Sequence, residues 1–170
     1  GFRFDNTPWE PFQRPVVAAL RKTVESGIPA GFVLLSGGYG TGKTRMLACT
    51  VNAARARGWT ARYMSTESAL QELRDSYEND EYTETLQRLE NTQVLCLDEF
   101  GRHNTTSWAE ATLFQLLDAR YRRATECHYY DLRLTVIATN FAEIDGYLMS
   151  RFGDVRHRNV FYLILNGHDM

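Results

Sequence analysis

Gly37-Gly38-Tyr39-Gly40-Thr41-Gly42-Lys43-Thr44 fits the pattern G-x-x-x-x-G-K-[ST], and its flanks give the setting that pattern needs. Ahead of it runs Gly31-Phe32-Val33-Leu34-Leu35, an apolar stretch that reads as a strand. Residues 45–57, directly behind it, read as a helix. A strand–loop–helix order sets the loop's backbone N–H groups at a helix N-terminus, where they can converge on phosphate oxygens. The glycines allow the tight turn and a close approach of backbone to ligand. Lys43 is placed to reach the β- and γ-phosphates of ATP, and the Thr44 hydroxyl to hold Mg²⁺. The candidate nucleotide-binding set is therefore Gly37, Gly38, Tyr39, Gly40, Thr41, Gly42, Lys43 and Thr44, with Arg45 opening the helix.

Further apolar runs at 61–65, 93–97, 133–138 and 160–165 join 32–35 as strands. Several are near-continuous in apolar residues and rich in Val, Ile, Leu and aromatics, as in a sheet buried on both faces. Helical patterns alternate with them. One covers 15–26 and stops before Gly27; another covers 43–57 and stops at Gly58, a left-handed cap with Arg55 and Arg57 in the last turn. Thr66 can cap a helix to about residue 75, and Ser107-Trp108-Ala109-Glu110 reads as a capping box ahead of Leu113, Phe114, Leu116, Leu117 and Tyr121. The polar stretch 76–85 reads as a loop or frayed helix. Strands alternating with helices predict an α/β fold, a parallel sheet with helices on both faces.

Phosphate binding alone does not give hydrolysis, which also needs an acid for the metal and a group to orient water. Val94-Leu95-Cys96-Leu97-Asp98-Glu99 supplies both at one strand end, Asp98 for the metal and Glu99 for the water. Asn140, where Leu134-Thr135-Val136-Ile137-Ala138-Thr139 ends, is placed to hold that water from the other side.

These 170 residues suffice for one globular domain, and 44% hydrophobic with 24% charged residues is ordinary for an α/β protein. A net charge of −2 argues against coating nucleic acid by bulk positive charge. Cys49, Cys96 and Cys127 are scattered and odd in number, which suits a reducing cytoplasm. No leader pattern and no membrane-length apolar run is seen, so no membrane partner is expected. The four histidines, His103, His128, His157 and His168, have no metal-ligand spacing with the cysteines.

Taken in order, Gly-Gly-Tyr-Gly-Thr-Gly-Lys-Thr, Leu-Asp-Glu-Phe-Gly and Ala-Thr-Asn resemble an AAA+ ATPase, more narrowly the DnaC/IstB group of helicase loaders and transposition ATPases. Phe4-Asp5-Asn6, Leu117-Asp118-Ala119-Arg120-Tyr121 and Met149-Ser150-Arg151-Phe152 match the same group. The resemblance implies a five-stranded sheet in the order 5-1-4-3-2, numbered along the chain. It implies that Arg151 reaches a neighbouring subunit's nucleotide as an arginine finger, so that a homo-oligomer formed on ATP or DNA is the hydrolysing species. It also implies that Phe2 and Phe4, ahead of the loop, cover the adenine.

Loaders of this group grip a replicative helicase through an N-terminal module that is not found in these residues, and no helical lid is found either. Gly167-His168-Asp169-Met170 stops one position short of the family's sensor arginine, so none is assigned and truncation there is expected. One AAA+ domain over 1–170 is the expected organisation.

Arg55, Arg57 and Arg62, then Arg120, Arg122 and Arg123, then Arg156, His157 and Arg158 are local basic clusters. Tyr63, Tyr77 and Tyr82 lie in the region that carries DNA contacts in the initiator and loader branch. Glu67, Glu72, Asp75, Glu78, Asp80, Glu81 and Glu84 lie there too, so single-stranded DNA binding is expected to be weak or to require assembly. Alternatives to the helicase loader stay open: a transposition helper, a small kinase using Arg120-Tyr121-Arg122-Arg123 as its lid, and an ATP-sensing adaptor.

Overall fold

The computed structural model describes residues 1–26, 31–102, 106–126, 133–140 and 160–165. Five strands, β1 Gly31–Gly37, β2 Ala61–Ser65, β3 Val94–Phe100, β4 Leu134–Thr139 and β5 Val160–Leu165, alternate with helices α1 Arg14–Glu25, α2 Lys43–Ala56, α3 Thr66–Ser76, α4 Tyr82–Asn91 and α5 Ser107–Glu126. Period-two alternation divides the strand side chains between two cores. Val33, Leu35, Cys96, Val136 and Ala138 pack with Leu20 of α1 and Leu47 of α2. Phe32, Leu34, Leu95, Leu97 and Ile137 pack on the other face with Leu70, Leu89 and Leu117 of α3, α4 and α5.

The sheet order is β2-β3-β4-β1-β5 with parallel pairings, which is the expected 5-1-4-3-2 seen from its other edge. Parallel strands carry all their carboxyl ends to one rim, where α/β sheets bind ligands. The rim gathers the loop after β1, the acidic end of β3 and Asn140 beyond β4.

The α2 terminus follows the sequence reading. Gly58 has φ +81, its amide bonds Arg55 O at 2.9 Å, and the Trp59 amide bonds Ala54 O at 3.1 Å. That pair of bonds is the Schellman pattern. Other ends differ. Ser65, not Thr66, caps α3 by accepting from the Ser68 amide at 3.0 Å. Thr106, not Ser107, caps α5, accepting from the Ala109 amide at 3.1 Å.

The stretch 76–85 is neither loop nor frayed helix throughout. A 3-10 turn, Tyr77–Asn79, leads into α4, whose buried Thr85, Leu86 and Leu89 pack against α3 and α5. So few apolar residues in a polar stretch are a weak periodic signal, and packing decides the helix.

Arg120, read in the sequence as a basic-cluster residue or part of a lid, is fully buried in the α5 interface. Its guanidinium donates to Thr135 Oγ1 (2.7 Å) and to the carbonyls of Leu89 (2.8 Å), Glu90 (3.2 Å), Thr92 (2.6 Å) and Leu134 (2.8 Å). It thereby closes the carboxyl end of α4 and ties it to β4. Burial, with nearby Arg133, draws its pKa down to about 9, yet every partner is an acceptor and the cation persists at neutral pH. With Tyr121 also buried, this segment is no mobile lid.

Candidate functional site

Gly42 is the N-cap of α2, with φ +90 and no side-chain cap, so the first-turn amides of α2 have no capping acceptor. Lys43, only 8% exposed, folds back onto the loop. Its ammonium donates to Gly37 O and Gly38 O, both at 2.7 Å, and to Thr41 Oγ1 at 3.2 Å. Burial lowers its pKa, and the charge of Asp98 across the site raises it again. Among the described residues no carboxylate ion-pairs with it. A largely buried cation held only by neutral oxygens, beside open helix amides, favours an anionic ligand.

A side chain the sequence reading missed holds the loop from behind. Gln13, buried just before α1, donates from Nε2 to Thr41 O at 2.9 Å and accepts the Glu10 amide at 2.8 Å. A Cβ on Gly42 would lie 2.6 Å from that Nε2 and push Gln13 off Thr41 O, and φ +90 by itself favours glycine here. No local motif reveals the contact, because 28 residues separate Gln13 from Thr41.

Neighbouring side chains of a regular strand point to opposite faces, so Asp98 and Glu99 could not both face one site on an unbroken β3. A bulge resolves this. Leu97 faces Ile137 and Phe100 faces Thr139, so three steps along β3 match two along β4. Glu99 takes φ +53, a left-handed conformation uncommon for a residue with a side chain. Carbonyls at the bulge are met by hydroxyls: Thr66 donates to Asp98 O at 2.9 Å, and Thr139 to Phe100 O at 2.8 Å.

Asp98 is buried at the cavity floor. Its Oδ2 accepts from the Thr44 hydroxyl at 2.7 Å and from the Tyr63 hydroxyl at 2.6 Å, while Oδ1 accepts the Glu99 amide at 2.9 Å. Thr44 spends its one proton on Asp98 and keeps its lone pairs for a cation. No cluster of three or more His, Cys, Asp or Glu among the described residues could hold a metal. This donor set fits Mg²⁺, which takes most of its ligands from phosphate and water.

The resulting cavity, about 470 Å³, brings together Tyr39, Gly40, Thr41, Gly42, Lys43, Thr44 and Arg45 with Asp98, Glu99 and Asn140. Gly37 and Gly38 do not line it; their carbonyls hold the Lys43 ammonium. Glu99 is exposed to the cavity, and Asn140 stands half-buried opposite the loop. Phe2 and Arg45 line one end, the Arg45 guanidinium 5.7 Å from the Phe2 ring centre. Phe4, expected beside Phe2, is instead in the core. Arg102, unmarked in the sequence, lies 3.9 Å from Glu99 Oε1 and 5.3 Å over the Tyr39 ring. Arg151, Cys127 and all four histidines lie outside the described residues.

Arg156 and Arg158 also lie outside the described residues, and among those described several basic side chains are engaged within the fold. Arg62 pairs with Glu72 at 2.9 Å, Arg74 with Glu67 at 3.0 Å, and Arg55 donates to Ala61 O. No described helix is long and apolar enough to cross a membrane.

Residues 23–140, most of the chain and nearly all of this site, match the family of IstB-like ATP binding proteins. The chain belongs to that family. Two relatives of this IstB-like chain align over about half of it. The replicative helicase loader DnaI of Bacillus subtilis is 32% identical over 89 residues, 52% of this chain and 28% of that protein. The ATP-binding protein of insertion sequence IS1162 from Pseudomonas fluorescens is 32% identical over 88 residues, 52% of this chain and 38% of that protein. Both matches thus span well under half of the relative. In fold, the IstB-like chain superposes on the crystal structure of the DnaC helicase loader with TM-score 0.76 and 21% identity, over 96% of each chain. The fold is that of a P-loop AAA+ protein.

Proposed function

We propose that this IstB-like domain binds ATP with Mg²⁺ and hydrolyses it to ADP and phosphate at a subunit interface. The observation that carries this is the buried Lys43 ammonium, held by neutral oxygens beside the uncapped start of α2 and across from Asp98. Lys43 and the loop amides take the β- and γ-phosphates, replacing the carbonyl contacts that Lys43 now makes. Thr44, with Asp98 behind it, holds the metal, which supplies charge neutralisation on the phosphate oxygens. Glu99 polarises the attacking water, and Asn140 steadies it from the facing strand. Arg151 of a neighbouring copy meets the charge developing on the γ-phosphoryl oxygens. Phe2 and Arg45 border the base.

Within that chemistry we place the loading of a replicative helicase first, the helicase being gripped through parts outside these residues. The relative from an insertion sequence supports a second reading, help to a transposase, at the same identity. Single-stranded DNA is bound weakly or only by the assembly, since Arg62 and Arg74 are already paired with glutamates.

The test is ATP turnover against protein concentration, with and without single-stranded DNA, beside Glu99→Gln and Arg151→Ala. Turnover per protomer that climbs with concentration and disappears in both variants supports the reading. Turnover strictly proportional to protein and indifferent to Arg151→Ala removes the interface. Full turnover in Glu99→Gln removes the hydrolytic role of that carboxylate. Adding helicase or transposase then separates the two partner readings, by which one changes the rate.

A further inference from the structure

The Asp98 carboxylate accepts one hydrogen bond that comes from neither the phosphate loop nor its own strand. Tyr63, on edge strand β2, donates its hydroxyl to Oδ2 at 2.6 Å. In the β2–β3 register Tyr63 stands opposite Cys96, and Ser65 stands opposite Asp98. The Tyr63 ring must therefore run along the strand by two residues, roughly 6.6 Å, to reach the carboxylate. A serine or threonine at this position would fall short, and a phenylalanine would arrive without a donor. The residue is 41% exposed, so core packing gives little reason for an aromatic there.

We propose that Tyr63 is a positioning residue for the metal side of the nucleotide site, fixing the Asp98 carboxylate in the orientation that receives the cation. Thr44 cannot do this alone. Its hydroxyl is shared between Asp98 and the incoming ion, so its bond to Oδ2 adjusts when the ion arrives. Tyr63 has no ion to hold, and its hydroxyl meets the same Oδ2 beside that of Thr44. The backbone amide of Glu99 holds Oδ1, and the bulge fixes where that amide points. Three donors on two oxygens leave the carboxylate a single orientation. Outer partners of this kind set metal affinity without touching the metal. The inference rests on the reading of Thr44 and Asp98 as the metal-holding pair.

Manganese binding followed by electron paramagnetic resonance tests it, with a non-hydrolysable ATP analogue present, on wild type, Tyr63→Phe and Asp98→Asn. Affinity for the analogue in EDTA is measured alongside. Tyr63→Phe is expected to need roughly tenfold more Mn²⁺ for half-saturation, with metal-free affinity for the analogue unchanged. Normal Mn²⁺ binding in Tyr63→Phe, with loss in Asp98→Asn, overturns the role of Tyr63 and leaves the site intact. Equal weakening of metal-free and metal-bound analogue binding also overturns it, because Tyr63 would then act on the loop. Normal Mn²⁺ binding in Asp98→Asn overturns the metal assignment itself and this inference with it.

Discussion

Replacing Arg120 by methionine is expected to be among the costliest single changes in this domain. The side chain is fully buried and serves five acceptors: four carbonyls, three of them at the end of α4, and the Thr135 hydroxyl. Methionine fills much of the stem's volume and supplies no donor. Each buried acceptor left unpaired costs about 1–3 kcal/mol. Against that, a guanidinium no longer has to be desolvated, which returns several kcal/mol. The balance is a loss of about 4 kcal/mol, a large part of the roughly 5–15 kcal/mol that holds a domain together. At about 2–4 °C per kcal/mol for this size, the melting temperature falls by roughly 8–16 °C.

Thermal and urea unfolding followed by circular dichroism measure it. Arg122→Met is the control, since Arg122 is 65% exposed and pairs with Asp118 on the same helix, and a change within about 0.5 kcal/mol is expected there. Arg120→Lys, with the charge but not the fork, is expected to recover less than half of the loss. A melting temperature for Arg120→Met within two or so degrees of wild type would refute the reasoning. So would equal losses at the two positions.

Two further changes probe the loop and the pH response. Gly42→Ala forces a side chain into φ +90 and to 2.6 Å from Gln13 Nε2; ATP affinity by fluorescence titration is expected to fall at least tenfold, and adding Gln13→Ala restores only part, since the backbone strain stays. Unchanged affinity in Gly42→Ala would show that the loop tolerates another shape. Glu90 has its carboxyl pKa raised by burial, with Arg123 and Arg120 opposing. The folded state therefore keeps a proton that the unfolded chain releases, and stability falls as pH rises through that window. Glu90→Gln removes this slope, so its melting temperature should gain on wild type from acidic to neutral pH; a constant offset would count against the assignment.

Legibility in the sequence followed how local each signal is. The loop from Gly37 to Thr44 and the pair Asp98-Glu99 are each contiguous, so the sequence alone marked them as candidates. The left-handed Gly58 was legible for the same reason, because a helix end is settled within one turn. The α4 helix was not, since Tyr82–Asn91 is polar enough that only packing on α3 and α5 selects it. Arg120 was misread because an arginine in a run with Arg122 and Arg123 looks solvated until the α4 carbonyls are brought to it.

The sequence by itself determined the α/β alternation and the buried parallel sheet and marked out the candidate phosphate loop, all of which rest on residues near one another in the chain. Tertiary structure decided how that chemistry is held. It brought Gln13 behind Thr41, Tyr63 onto Asp98, and Arg102 between Glu99 and Tyr39. It also supplied the bulge that turns two successive carboxylates toward one cavity. Strand order and register create these contacts, and residues 35 positions apart, such as Tyr63 and Asp98, carry no local pattern that announces their pairing.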